Sequence, residues 1–407
     1  MPGDPSTSTG GYIYDAQILA GLAELGWRTR VHSLDASFPR PTPAALRDAR
    51  ARLAELSADG VVVIDGLALA GLERVLETEA KRLAIVALVH HPLALETGIA
   101  PPEARLLETA ESNALALARR VIVTSQWTAR ALGAYGVPID KIRVVEPGVD
   151  RRGAHRSRVD RHRHRPARAD AESAARPSRD RVRTGMCAHE PQGRSSGVSR
   201  EGRAALSASA RAAREDRRGD RDVRLLCVAT VTPRKGHAVL LEALAELRDR
   251  PWHLTCAGSV TRDPATFAAL EQQVERLALR ARVSFLGDLD ADALEREYER
   301  ADLFVLASYL EGYGMALAEA VARGIPVVST TAGAIPETVP AAAGVLVPPG
   351  DSRALAKALA PLLGDAGARG HLAANARAAA AKLPTWSAAA EKFAAALDGI
   401  ARPKRSR

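Results

Sequence analysis

Two glutamates, Glu311 and Glu319, flank the run Gly312-Tyr-Gly-Met315, and a basic pair, Arg234-Lys235, stands just before Gly236. A carboxylate accepts hydrogen bonds from a pair of hydroxyls. Arginine, lysine and the free N–H groups of a helix start meet the charge of a phosphate. The two acids are eight residues apart, so the second is not simply the helical neighbour of the first. Together these residue types suit a ligand with hydroxyl-bearing regions on either side of a phosphate. Spacing alone fits equally well a surface helix whose acids favour its macrodipole, and a basic pair at a turn is by itself a weak signal.

Elements that would position these residues repeat along the chain. Strand-like runs are expected at Thr29–Leu34, Val61–Asp65, Leu83–Val89, Arg120–Thr124 and Ile142–Glu146, with helices at Tyr12–Leu25, Ala44–Leu56 and Pro102–Ala118. A second series follows, with strands at Leu225–Thr230, His253–Ala257, Val283–Leu286, Leu303–Ala307, Pro326–Ser329 and Gly344–Val347. Its helices are expected at Ala238–Leu247, Ala265–Leu279, Leu294–Arg300, Met315–Arg323 and Arg353–Leu363. Apolar strands alternating with helices predict an α/β protein with parallel sheets covered on both faces, here two doubly wound, Rossmann-like domains. A cleft between them would lie at the carboxyl ends of the strands, where such folds bind ligands. Glu311, beyond strand Leu303–Ala307, and Pro233–Gly236, beyond strand Leu225–Thr230, both fall at such ends.

The domains are expected at 1–150 and 223–365, joined by 151–222 and followed by an Ala-rich helical tail, 366–407, with Trp386 as its large anchor and a basic end. A Gly/Ser/Thr loop, Gly3–Gly11, opens the first domain without the central strand that normally precedes one, so that strand is expected to be missing and the start at Met1 to be mis-assigned. Residues 151–222 hold 20 Arg and 10 acidic residues, a local +10, whereas the rest of the chain has 37 basic and 38 acidic residues. The net charge of +9 therefore belongs to one segment. Without Phe, Trp, Tyr, Ile or Lys it cannot offset its ordering entropy, and disorder is expected. Its Gly193-Arg-Ser-Ser-Gly197 matches a hydrolase pattern but lacks the flanking strand and helix. Arginine without lysine is what a GC-rich gene yields out of frame, so a frame disturbance or insertion is expected here.

Composition excludes several classes. The longest apolar runs fall far short of the roughly 20 residues a bilayer span needs. Cys187, Cys227 and Cys256 show no CxxC spacing, which argues against zinc or a disulfide framework and for a reducing, cytoplasmic setting. With no aromatic residue to stack on bases, the Arg-rich segment makes nucleic acid an unlikely partner. Peripheral association with an anionic inner membrane face is retained as an expectation.

"EGYGMALAEA" resembles the signature of the retaining glycosyltransferases of family 4, which have the GT-B fold and two glutamates separated by seven residues. "VTPRKGHAVLLEAL" resembles the family's phosphate-binding Lys-Gly turn, and "GIPVVSTTAGAIPETV" and "AGVLVPPGD" resemble its following strands and loops. "VVEPGVD" resembles the close of the N-terminal domain and "LVHHPLALE" its histidine strand. The resemblance covers most of the chain outside 151–222.

The resemblance implies transfer of a sugar from a nucleotide-diphosphate sugar to an acceptor hydroxyl, with retained configuration and no cofactor or essential metal. It implies that Glu319 binds the donor ribose and Glu311 the donor sugar. Gly312, Tyr313, Gly314 and Met315 would hold the diphosphate or sugar through their amides, and Lys235 would neutralise the leaving diphosphate. His90 would lie near the sugar, and Gly10 and Gly11 near the diphosphate and acceptor. The family's usual Arg five residues before the Lys is Thr230 here, and Arg234 is the adjacent cation that could replace it. A same-fold epimerase or phosphorylase, or a defective chain that only binds anions through its arginines, are the rival readings. Base, sugar and acceptor are not legible.

Overall fold

The computed structural model describes residues 1–3, 9–150 and 222–400. The expected disordered segment (Asp222 apart), Cys187, the Gly193–Gly197 run, the middle of the Gly3–Gly11 loop and the basic end of the tail lie outside the described residues.

Two parallel sheets make up the fold. The first has four strands in the order β1 (Val61–Asp65), β2 (Ala84–Val89), β3 (Arg120–Val123) and β4 (Ile142–Val144). The second has six: β5 (Val223–Val228), β6 (Trp252–Ala257), β7 (Val283–Phe285), β8 (Leu303–Leu306), β9 (Val327–Thr330) and β10 (Gly344–Val347). Their order is β10-β9-β8-β5-β6-β7, which reverses direction between β5 and β8, the place where such sheets open a crevice. Helices of α/β crossovers cover the strands, so the central ones are buried on both faces. All six residues of β2 and all four of β8 and β9 are buried, which is why they read as unbroken apolar runs. Each sheet has its own core, one around Phe304, Leu254 and Val328, the other around Ile85, Leu76 and Val121.

One expected strand is absent. Residues 28–33 form no ladder, and only Leu34 pairs, as an isolated parallel bridge with Pro2. Gly3 N–H donates to Leu34 O and Leu34 N–H to Met1 O, both at 2.8 Å. β-forming residues become a strand only where a neighbour supplies backbone partners. Among the described residues Met1–Gly3 is that neighbour, and beyond the bridge at Leu34 it adds only the Met1 ammonium, which donates to His32 O at 3.1 Å.

The C-terminal tail forms two helices, Ala366–Ala380 and Trp386–Leu397. The second crosses back to the first half of the chain and packs Phe393, Leu397 and Ile400 with Tyr14, Ile18 and Leu22 of the first helix, Gly10–Glu24, and with Val86 and Leu88 of β2. A β-carbon on Gly21 would lie 2.4 Å from Ala390 Cβ, so the two helices meet at contact distance. Among the described residues, no helix is long and apolar enough to cross a membrane.

A cleft with two acids in different settings

The carboxyl ends of both sheets line one cavity of about 550 Å³. From the first half come Gly10, Gly11, His90, Glu96 and Thr124. The second half supplies Thr230, Arg234, Lys235, Gly312, Tyr313, Gly314, Met315, Glu311 and Glu319. Every residue singled out from the sequence for this purpose lies along its wall.

Glu311 follows β8 in a buried loop, 5% exposed. Lys235 Nζ donates to its Oε1 at 2.6 Å and Ser308 Oγ at 2.7 Å, while Arg234 stands 3.7 Å from Oε2. Burial works to raise the Glu311 pKa, but Lys235 and Arg234 outweigh it and hold the carboxyl below its usual range. The same burial lowers the Lys235 pKa, with Glu311 opposing. The pair is therefore an ion pair at the cleft wall, beside backbone that turns into a helix at His237.

Gly236 makes that turn possible. Its φ is +67°, and a β-carbon there would lie 2.0 Å from Ala307 O. Gly312, which lines the cleft, also lets the two halves of the protein touch: a β-carbon on it would lie 2.0 Å from His90 O.

Glu319 sits one turn into the Met315–Ala322 helix. Tyr298 Oη donates to its Oε2 at 2.9 Å. Burial raises its pKa, against the pull of Arg323. Arg323 lies over the Tyr298 ring at 4.3 Å and is paired with Glu295 at 2.6 Å. The two acids thus occupy distinct settings, Glu311 among cations and Glu319 beside a phenol.

Arg234 is fastened at three points. Its Nη1 donates to Leu310 O at 2.7 Å, its Nε meets Glu96 Oε1 at 2.9 Å, and Glu311 is near. Glu96 comes from the other half of the chain and also meets His91 Nε2 at 3.2 Å. Burial opposes its charge, but His91 and Arg234 bring its pKa down to about 2. The loop that carries Glu96 is held from behind by Glu111, a buried helix residue whose Oε1 and Oε2 accept from Leu93 N–H at 2.9 Å and Ala94 N–H at 3.3 Å. Burial pushes the Glu111 pKa up to about 7, against these two N–H donors.

His90 follows β2 directly and turns its Nε2 towards Asp15 Oδ1 at 3.4 Å and Asp65 Oδ2 at 4.0 Å. Sequence reasoning missed Asp15, Asp65, Glu96, Glu111 and Ser308. A signal existed for Asp15, an acid on the stripe that Ile18 and Leu22 continue at helical spacing. Asp65, at the end of an apolar strand, gave a weaker one. Nothing local marks Glu96, because its partners are distant in sequence. Ligand-type atoms lie within 4.8 Å of one another in two groups among the described residues, Cys227–His237–Cys256 and Asp15–Asp65–His90. By spacing alone, either group could hold an ion.

Residues 16–152 match the family model "Glycosyltransferase Family 4" and residues 211–379 match "Glycosyl transferases group 1". A D-inositol 3-phosphate glycosyltransferase of Corynebacterium diphtheriae is 36% identical over 164 residues, 39% of this chain and 38% of that protein. A GDP-mannose-dependent alpha-(1-6)-phosphatidylinositol monomannoside mannosyltransferase of Mycolicibacterium smegmatis is 32% identical over 155 residues, 36% of this chain and 40% of that protein. The chain thus matches about two fifths of the length of these curated relatives. Among solved structures, the sucrose-phosphate synthase of Thermosynechococcus elongatus aligns with a TM-score of 0.67 at 22% identity, covering 97% of this chain and 95% of that one. Anabaena HepE in complex with UDP and glucose aligns at 0.63 and 18%, covering 97% and 98%. These structures share the two-sheet fold.

Proposed function

We propose, for a chain that belongs to the family 4-like glycosyltransferases of GT-B fold, that it moves a sugar from a nucleotide-diphosphate sugar to an acceptor hydroxyl with retention of configuration. The observation that carries this reading is the pair of acids on one cavity wall, Glu311 tied to Lys235 and Arg234, and Glu319 one turn into the next helix. Relatives whose names include a GDP-mannose donor, and neighbours solved with UDP, support the donor class.

In this reading the diphosphate lies between the Pro233–Gly236 turn and the Gly312–Met315 amides. Lys235 and Arg234 meet the charge that grows on the leaving oxygen. Glu319 accepts from ribose hydroxyls and Glu311 from hydroxyls of the sugar near the reacting carbon. The C–O bond to the diphosphate breaks, the anomeric carbon gains positive character, and the acceptor oxygen bonds from the same face. The acceptor's proton goes to the departing phosphate oxygen, so no carboxylate need act as a nucleophile. The same reading includes no essential metal, and transfer that persists after EDTA treatment tests that point.

Both cations are already paired with protein carboxylates, so a diphosphate must compete with Glu96 and Glu311 for them. Arg234, once released from Glu96, is the cation that stands in for the one Thr230 does not supply. A panel of UDP-, GDP- and ADP-sugars tested for thermal stabilisation and sugar transfer decides the reading. One nucleotide should stabilise the protein and support transfer. Stabilisation by none of them would refute a nucleotide-sugar site.

A further inference from the structure

The setting of His90 contains an expense that a packing role does not explain. Asp15 is 5% exposed, and neither of its carboxylate oxygens has a hydrogen-bond partner; His90 Nε2 is also buried without one. A buried carboxylate that makes no hydrogen bond, with His90 Nε2 3.4 Å away, costs several kcal/mol. It sits on a helix face otherwise given to Ile18 and Leu22, where an apolar residue would avoid that cost.

The rest of the histidine is fixed from other directions. Thr124 and Thr128 hydroxyls donate to its carbonyl oxygen at 3.2 Å and 3.3 Å, and Gly312 packs against that same oxygen. The Tyr14 ring meets the imidazole edge-on with centroids 5.4 Å apart. With Nε2 turned inward to the acids, Nδ1 is the polar edge left for the cleft, which the histidine lines.

We propose that Asp15 and Asp65 are positioning residues that take the Nε2 edge of the His90 ring and so hold its Nδ1 towards an oxygen of the bound donor. The proposal rests on the cleft being the donor site. Carboxylates that fix an imidazole's tautomer and direction act in this way without touching substrate. The charged and titratable groups around the ring are Asp15 and Tyr14 on the first helix, Asp65 on β1, the Met1 ammonium that acts on both acids, and His91 beside it. Burial works against a charged His90, but Asp15 and then Asp65 outweigh it and raise its pKa from the ordinary histidine value.

A double-mutant cycle separates positioning from structure. Asp15→Asn and His90→Gln should each lower kcat/KM about 10- to 100-fold, and the double variant should be no worse than His90→Gln alone. Losses that multiply would overturn the proposal, since Asp15 would then act independently of the ring. Asp65→Asn gives the same comparison should Asp15→Asn not fold. Nitrogen NMR of the His90 ring supplies a readout without turnover. The protonation pattern of Nδ1 and Nε2 should change between wild type and Asp15→Asn, and an unchanged pattern contradicts the proposal. Retention of one equivalent of metal, whose removal by EDTA reproduces the Asp15→Asn defect, would also overturn it, because the acids would then be ligands. Should the wild type bind no nucleotide sugar, the donor reading falls, while the ring spectra still decide whether Asp15 positions the histidine.

Discussion

At the scale of single residues, the two glutamates are distinguished by company rather than by type. Glu311 shares a buried pocket with Lys235, Arg234 and Ser308, so its removal leaves Lys235 without its counter-charge at the cleft wall, while Arg234 keeps Glu96. Glu311→Ala should lower kcat by about 100-fold or more. Glu319→Ala should chiefly weaken donor binding, by about tenfold for a charge-assisted hydrogen bond lost. Steady-state kinetics with a stabilising donor checks both, and equal, mild effects would return the acids to an ordinary helix surface. Glu96 gives the opposite sign. It holds Arg234 from the other half of the chain, and its pKa near 2 keeps it ionised throughout the working range. Glu96→Gln should therefore tighten nucleoside-diphosphate binding several-fold, as titration calorimetry would show; weaker binding would mean that Glu96 orders Arg234 instead of competing for it.

At the scale of elements, Glu111 links a helix to the loop that bears Glu96. Its pKa is raised from an ordinary 4.5 to about 7, so the protonated form is the one the fold favours. This contribution to stability is complete below pH 4.5 and is lost as pH rises through 7, about 3 kcal/mol in all. Glu111→Gln keeps an acceptor for Leu93 N–H and should flatten the fall in stability between pH 5 and 8; urea midpoints across that range test it, and an unchanged slope would contradict the burial argument. Much at this scale was legible in the sequence. Strand Val61–Asp65 has the bounds its β-branched run suggested, and β2, β8 and β9 were plain because burial on both faces leaves them no polar alternation. Thr29–Leu34 misled, since its β-formers lack a ladder partner beyond Leu34. Short helices such as Glu73–Glu79 and Gln126–Ala131 were missed because one or two turns hold too few apolar repeats to show a period. Lys235 and Glu311 were visible because each stands beside a glycine after a strand, and Glu319 because it follows Glu311 at the motif's fixed spacing. Asp15, Asp65 and Glu96 work through contacts between distant elements, which no local pattern reports.

At the scale of the whole molecule, contacts join the two sheets on both sides of the cleft. The last helix returns to the first half, where Arg119 and Arg120 donate to the carbonyls of Ile400 and Ala396 at 3.0 Å and 2.9 Å. Phe393, 3% exposed in that interface, should cost about 3–5 kcal/mol when replaced by Ala. Unfolding in urea would register the loss, and an unmoved midpoint would mean that the helix does not complete the first core. Arg130 also pairs with Glu337, and Trp127 N–H donates to Glu337 Oε2 at 3.0 Å. With Gly312 against His90, these contacts place the acids of the second half opposite the histidine of the first. The central claim is that this arrangement transfers a sugar with retention. It is tested most directly by proton NMR of the glycoside formed from a stabilising nucleotide sugar. The account predicts a product with the anomeric configuration of the donor; an inverted product, or free sugar as the sole product in the presence of acceptors, would contradict it.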